Sequence, residues 1–124
     1  MMDAVRVTGL RKSYGKKTVL NGIDLNVRAG TIFALLGVNG AGKTTALECI
    51  EGLRKMDSGS VTINGRIGIQ LQSAALPAHI KGMEAVRLFA KWNKTSVNTA
   101  MLAALGVDRL ANKQYQEMST GQKR

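Results

Sequence analysis

The chain has 124 residues, 44% of them apolar, which suits one modest domain with its own core and excludes a disordered segment. No window approaches the ~20 consecutive apolar residues of a membrane span, "MMDAVRVTGLRK" lacks the apolar centre of a secretory signal, and the lone Cys49 excludes an internal disulfide and suits a reducing cytoplasm. The net charge of +10 is scattered in short groups such as "LRK", "GKK" and "KWNK" with little aromatic interleaving, so a stacking platform for single-stranded nucleic acid is disfavoured against a solvated basic surface.

In chain order, "DAVRVTGL" alternates in part and reads as a strand, with "TVL" and "IDLNV" as further short strands. Ala29-Gly30 makes a turn before "TIFALL", which is apolar on both faces, as in the interior of a parallel sheet. Ala46, Cys49, Ile50 and Leu53 then fall at helical spacing, predicting a helix from Lys43 to about Glu51 capped by Gly52. On that face Cys49 is a packing residue, and Glu48, Glu51 and Asp57 are solvated surface. "DSGS" is a turn, and "VTING-RIGIQ" reads as a hairpin around Asn64-Gly65. Pro77 lies in a loop ahead of a helix over about 82–93, and Val97, Ala100, Met101, Ala104 and Leu105 form a helical stripe ended by Gly106.

Between "TIFALL" and the first helix lies "GVNGAGKTT", in which Gly37, Gly42, Lys43 and Thr44 meet the spacing G-x-x-x-x-G-K-T. A strand before and a helix after are the context that a phosphate-binding loop requires. Glycines let successive N–H groups turn toward an anion, and the helix directs its positive dipole end at the same point. Gly37, Asn39, Gly40, Ala41, Gly42, Lys43, Thr44 and Thr45 form the candidate nucleotide-binding set. Lys43 is expected to reach the β- and γ-phosphates, and the Thr44 hydroxyl to ligate Mg2+.

Other motifs choose among the classes that share such a loop. "NKTS" and "NKQY" lack the aspartate of a guanine-reading Asn-Lys-x-Asp, which speaks against a GTPase. Tyr14 lies upstream in "LRKSYGKKTVL", Gln72 ends "RIGIQLQ", and "EMSTGQKR" closes the sequence. With these in order the chain resembles the nucleotide-binding domain of ATP-binding cassette (ABC) proteins over essentially its whole length. The resemblance implies that Tyr14 stacks on adenine and that Gln72 contacts Mg2+ and the attacking water, Gln70 being the register alternative. It implies further that Ser119, Gly121 and Gln122 bind the ATP held by a second subunit. On local evidence "STG" is also a plain helix N-cap, Tyr14 a packed strand residue and Gln72 a polar strand end. Thr120 stands where the family's signature has a glycine. His79 is not in the position of the family's catalytic histidine and reads as a loop residue near a membrane-subunit contact.

The fold this implies is α/β, a P-loop core with an antiparallel β subdomain and the start of a helical subdomain. It makes 1–124 a single incomplete cassette, with 1–72 as β subdomain and core and 73–124 as helical section. A strand carrying the Mg2+-binding aspartate and the catalytic glutamate has no counterpart, so the chain is expected to leave an apolar edge unpaired and to bind nucleotide without turnover. The implied function is the ATP-binding subunit of an ABC transporter, driving export. Its partners are ATP, Mg2+, a second cassette and a transmembrane permease at the inner face of the cell membrane; nucleic acid is not expected. "SYG" and "IEGLRKMDSG" look most like cassettes of bacterial drug or lipid exporters. The alternatives are a soluble cassette acting on ribosomes or nucleic acid, against whose DNA-repair forms the short stretch from Lys43 to Ser119 speaks, and a non-catalytic nucleotide-binding remnant.

Overall fold

The computed structural model describes residues 2–70 and 75–123. It divides into two compact units, Met1–Ile69 and Gln70–Arg124.

In the first unit, β1 (Asp3–Tyr14) pairs antiparallel with both β2 (Lys17–Arg28) and β3 (Ser58–Ile63), giving the order β2-β1-β3. Gly15 and Lys16 close the β1–β2 hairpin. The apolar positions explain the irregular alternation in the sequence. Val5 and Val7 share a face, and Leu10 rejoins it only because β1 carries an extra residue between Val7 and Leu10. Leu20 and Ile23 are likewise three apart; Leu10 opposes Ile23 and Arg11 opposes Asn21, so Gly22 is extra. A one-residue slip turns every later side chain to the other face, and each bulge makes that change of phase once. "TVL" and "IDLNV" are therefore one bulged strand.

Helix α1 (Lys43–Ile50) lies on this face, with Ala46 and Cys49 buried against Val7, Leu10 and Leu20. Its end is a Schellman turn. The Gly52 N–H donates to the Cys49 carbonyl at 3.3 Å and the Leu53 N–H to that of Glu48 at 2.9 Å, with Gly52 at φ 77°. Leu53 lies past that turn and is 56% exposed, so it does not join the helix's apolar face.

Two predicted strands do not form. Residues 31–36, "TIFALL", are irregular, with Ile32 102%, Phe33 51% and Leu36 87% exposed, while Leu35 packs against the core. A strand is defined by its ladder, and none of the three described strands lies beside this segment. The apolar segment is thus left unpaired, as expected, but not as an extended edge. The second arm of the predicted hairpin, 66–70, is also irregular. Asn64 extends the β3–β1 pairing by one step instead: its N–H donates to the Ala4 carbonyl and its side-chain amide to that of Asp3, 2.9 and 2.8 Å.

The second unit holds α2 (Gly82–Trp92) and α3 (Thr99–Ala104), followed by 3-10 turns at Asp108–Leu110 and Tyr115–Glu117. Asn98 caps α3 through its carbonyl oxygen, which accepts from the Met101 N–H at 2.9 Å. The segment before α2 pairs with the chain near 111–116: the Gly82 N–H donates to the Lys113 carbonyl and the Tyr115 N–H to that of Ile80. These elements surround an apolar cavity of about 460 Å3 lined by Ile80, Val86, Phe89, Leu102, Leu110 and Met118, among others. Among the described residues no helix is long and apolar enough to cross a membrane.

Candidate functional site

The phosphate-loop candidate occupies the turn between residue 36 and α1. Gly42 is the N-cap of α1 with φ 93° and ψ 7°, and no side chain caps the helix. The first closed helical bond runs from the Ala46 N–H to the Gly42 carbonyl at 2.8 Å. The N–H groups of Lys43, Thr44 and Thr45 therefore precede the intrahelical ladder and face the loop side. A Cβ on Gly42 would lie 3.0 Å from Val19 Cγ1, 3.1 Å from Leu20 Cδ2 and 3.1 Å from the Val19 carbonyl oxygen. The loop is thus seated directly on β2. Glycine here serves both the left-handed backbone and the close approach.

Lys43 folds back over the loop, its Nζ 2.6 Å from the Gly37 carbonyl and 2.8 Å from that of Val38. Two of three ammonium donors are held by carbonyls that a phosphate oxygen can outcompete, since a bond between ions is stronger than one to a neutral carbonyl. Ala41 donates to the Val38 carbonyl at 3.2 Å, closing the loop on itself. Asn39 and Gly40 are exposed at its tip, Thr44 is exposed and Thr45 half-buried. The uncapped first-turn N–H groups of α1, the Lys43 ammonium and the Thr44 hydroxyl are a donor set that fits a nucleotide triphosphate with Mg2+.

Tyr14 ends β1 and is 43% exposed, a surface-facing ring and not a packed one. The Lys12 ammonium and the Arg54 guanidinium both lie 5.5 Å from its ring centroid. Arg54 Nε bonds Glu48 Oε2 at 2.6 Å; Lys12 Nζ bonds Asp57 Oδ1 at 3.0 Å; and the Ser13 N–H donates to Asp57 Oδ2 at 2.6 Å. Lys12, and next the Ser13 N–H, hold the Asp57 carboxyl below the usual aspartate range. Glu48 and Asp57 are therefore not idle surface carboxylates. Their partners lie up to 45 residues away in sequence, so no local spacing signalled the network. Burial beside Ala46 pushes the Cys49 thiol up, as suits a packing residue.

In the second unit Ser119 and Gln122 form a reciprocal capping box. The Gln122 N–H donates to Ser119 Oγ at 3.3 Å, and the Ser119 N–H to Gln122 Oε1 at 3.1 Å. The S-x-x-Q spacing was the available signal for these bonds, which close a turn over 119–123. Lys113 Nζ also bonds Gln122 Oε1, and Gly121 lies in the turn that follows. His79 Nδ1 is 3.2 Å from Gln114 Oε1, inside the contact between 78–82 and 111–116. Gln72 lies outside the described residues. Among the described residues no three His, Cys, Asp or Glu side chains gather as a metal cage.

The family model described as ABC transporter matches residues 20–124. Among curated proteins, the lantibiotic transport ATP-binding protein SrtF of Streptococcus pyogenes is 28% identical over 96% of this chain and 57% of its own length. The daunorubicin resistance ATP-binding protein DrrA3 of Streptomyces coeruleorubidus is 34% identical over 82% of this chain and 36% of its own. The aliphatic sulfonates import ATP-binding protein SsuB 1 of Nocardia farcinica is 54% identical over 51% of this chain and 26% of its own. The chain thus spans from about a quarter to under three-fifths of the length of these relatives. Among solved structures, an ATP-binding subunit of an ABC transporter superposes with a TM-score of 0.81 at 25% identity, over 97% of this chain and 57% of that one. A metal-chelate type ABC transporter in an inward-facing conformation gives 0.79 at 22% identity, over 98% and 53%. The fold is that of the P-loop ATP-binding domain of this family. With the match running from β2 through the phosphate loop to the serine-glutamine turn, the chain belongs to the ABC transporter ATP-binding family.

Proposed function

We propose that this chain is the nucleotide-holding portion of an ABC transporter's ATP-binding subunit, which drives export. The observation that carries the reading is the loop at 37–45: an uncapped helix N-terminus on a left-handed glycine, with Lys43 bonded to carbonyls of the loop it serves. Lys43 leaves the Gly37 and Val38 carbonyls for the β- and γ-phosphates, and the first-turn N–H groups of α1 bind the same oxygens. The Thr44 hydroxyl ligates Mg2+, which supplies electrostatic stabilisation of charge on the transferring phosphoryl group. Tyr14 offers its ring to adenine. Gln72 positions water, and Ser119, Gly121 and Gln122 meet the triphosphate held by a second cassette. In that arrangement the Ser119–Gln122 bonds hold the turn that carries these residues.

The export reading is drawn from DrrA3, a daunorubicin resistance protein that matches 82% of the chain at 34% identity; SsuB 1, an import protein, is 54% identical over 51%. The partners are a second cassette and a permease, which places the protein at the cytoplasmic face of the membrane. The 124 residues alone bind ATP without turning it over. Purified chain should bind a slowly hydrolysed ATP analogue with one site per chain and release no more than one phosphate. Repeated ATP turnover that disappears in Lys43→Ala would overturn the non-hydrolytic part; no binding by folded chain would overturn the whole.

A further inference from the structure

Two of the three carboxylates that read as solvated surface in the sequence, Glu48 and Asp57, bond the cations beside Tyr14. Asp57 binds Lys12 at 3.0 Å and the Ser13 N–H at 2.6 Å, so it fixes the backbone immediately before Tyr14 and one of the cations above its ring. Glu48 binds Arg54 at 2.6 Å and so fixes the other cation. Arg54 is placed by the end of α1 itself: its N–H donates to the Glu48 carbonyl at 3.0 Å, within the turn that closes on Gly52. A cation within about 6 Å of an aromatic centroid is attracted to the ring. Held by its own carboxylate, each cation becomes a fixed wall for the ring.

We propose that Glu48 and Asp57 are positioning residues for nucleobase binding, holding Arg54 and Lys12 against Tyr14 so that its ring is set before the base arrives. The inference rests on reading Tyr14 as the adenine platform. It gives α1 a second task. The N-terminus of the helix meets the phosphates, and its C-terminal turn orients the base platform, so one rigid element fixes both ends of the nucleotide. Ordering a rotamer-rich side chain before binding lowers the cost of association, and so the clamp favours a purine nucleotide over a bare polyphosphate.

The test compares ATP with inorganic tripolyphosphate, each with Mg2+, for binding to the full 124-residue chain by titration calorimetry. Asp57→Asn and Glu48→Gln are each expected to weaken ATP about 3- to 10-fold, the worth of one immobilised side chain, with tripolyphosphate unchanged. In a Tyr14→Ala background neither substitution should weaken ATP further. If both variants keep the wild-type ratio of ATP to tripolyphosphate affinity while Tyr14→Ala lowers it, the clamp is refuted and the platform stands. If Tyr14→Ala itself leaves the ratio unchanged, the platform reading falls and the clamp with it. Equal loss of both ligands in both variants would make the carboxylates mere supports of the fold, and also overturns the proposal.

Discussion

Replacing Gly42 by alanine tests how the phosphate loop is seated, and Gly40 supplies the internal control. Both glycines have positive φ, 93° and 83°, so an alanine at either costs about 1–2 kcal/mol for the left-handed backbone alone. Around Gly40 an added Cβ meets nothing within 4 Å, whereas at Gly42 it meets Val19 Cγ1, Leu20 Cδ2 and the Val19 carbonyl oxygen at 3.0–3.1 Å. One of those atoms is backbone and another belongs to Leu20, a core residue, so neither moves cheaply. Overpacking of this kind adds about 1–3 kcal/mol. Gly42→Ala should therefore be destabilised by about 2–5 kcal/mol and Gly40→Ala by about 1–2 kcal/mol. Urea unfolding followed by far-UV circular dichroism reads the difference; Trp92, the one tryptophan, sits in the other unit and is a poor reporter. Equal midpoints for the two variants would show that the loop does not rest on β2.

The remaining predictions concern single side chains. Asp57, with its pKa lowered by Lys12 and the Ser13 N–H, stabilises the fold above the ordinary aspartate value of ~3.9, and that contribution is lost as pH falls through its lower folded pKa. Asp57→Asn should flatten this acid limb in urea midpoints measured against pH, and an unchanged limb would contradict the bonds drawn here. Buried Cys49, its thiol pushed up by burial, should resist iodoacetamide in native buffer and react readily in urea; fast native alkylation would place it outside the core. Ile32, fully exposed in the unpaired segment, should drive concentration-dependent association of the chain, and Ile32→Lys should reduce it in sedimentation velocity.

Much of this fold was legible because its signals are local. The glycine loop with its lysine, the helix over Lys43–Ile50 and the helix beginning at Gly82 carry their cause within a few residues, whereas the predicted stripe over Val97–Leu105 names the wrong face of α3: Met101 and Leu105 are exposed and Leu102 is buried. "TIFALL" and "RIGIQ" misled because their apolar character states that a face is to be buried, not that a partner strand is present. The bulges that join "TVL" to "IDLNV" were hidden because each breaks the period on which strand reading relies. In the phosphate loop, Gly42 and Lys43 carry their signal in local spacing and context, while the bonds that Glu48, Arg54 and Asp57 make around Tyr14 do not. Their roles depend on the fold bringing the turn after α1 against the end of β1, a contact that no motif spacing encodes.

The central claim is that the loop at 37–45 holds a nucleotide through Lys43, and equilibrium binding of Mg2+-ATP to the whole chain tests it most directly. Wild-type chain should bind saturably, with tripolyphosphate competing. Lys43→Ala should bind at least about 10-fold more weakly, the loss of one charge-assisted bond of about 1.5–3 kcal/mol. Equal ATP affinity in wild type and Lys43→Ala, both folded by circular dichroism, would contradict the account.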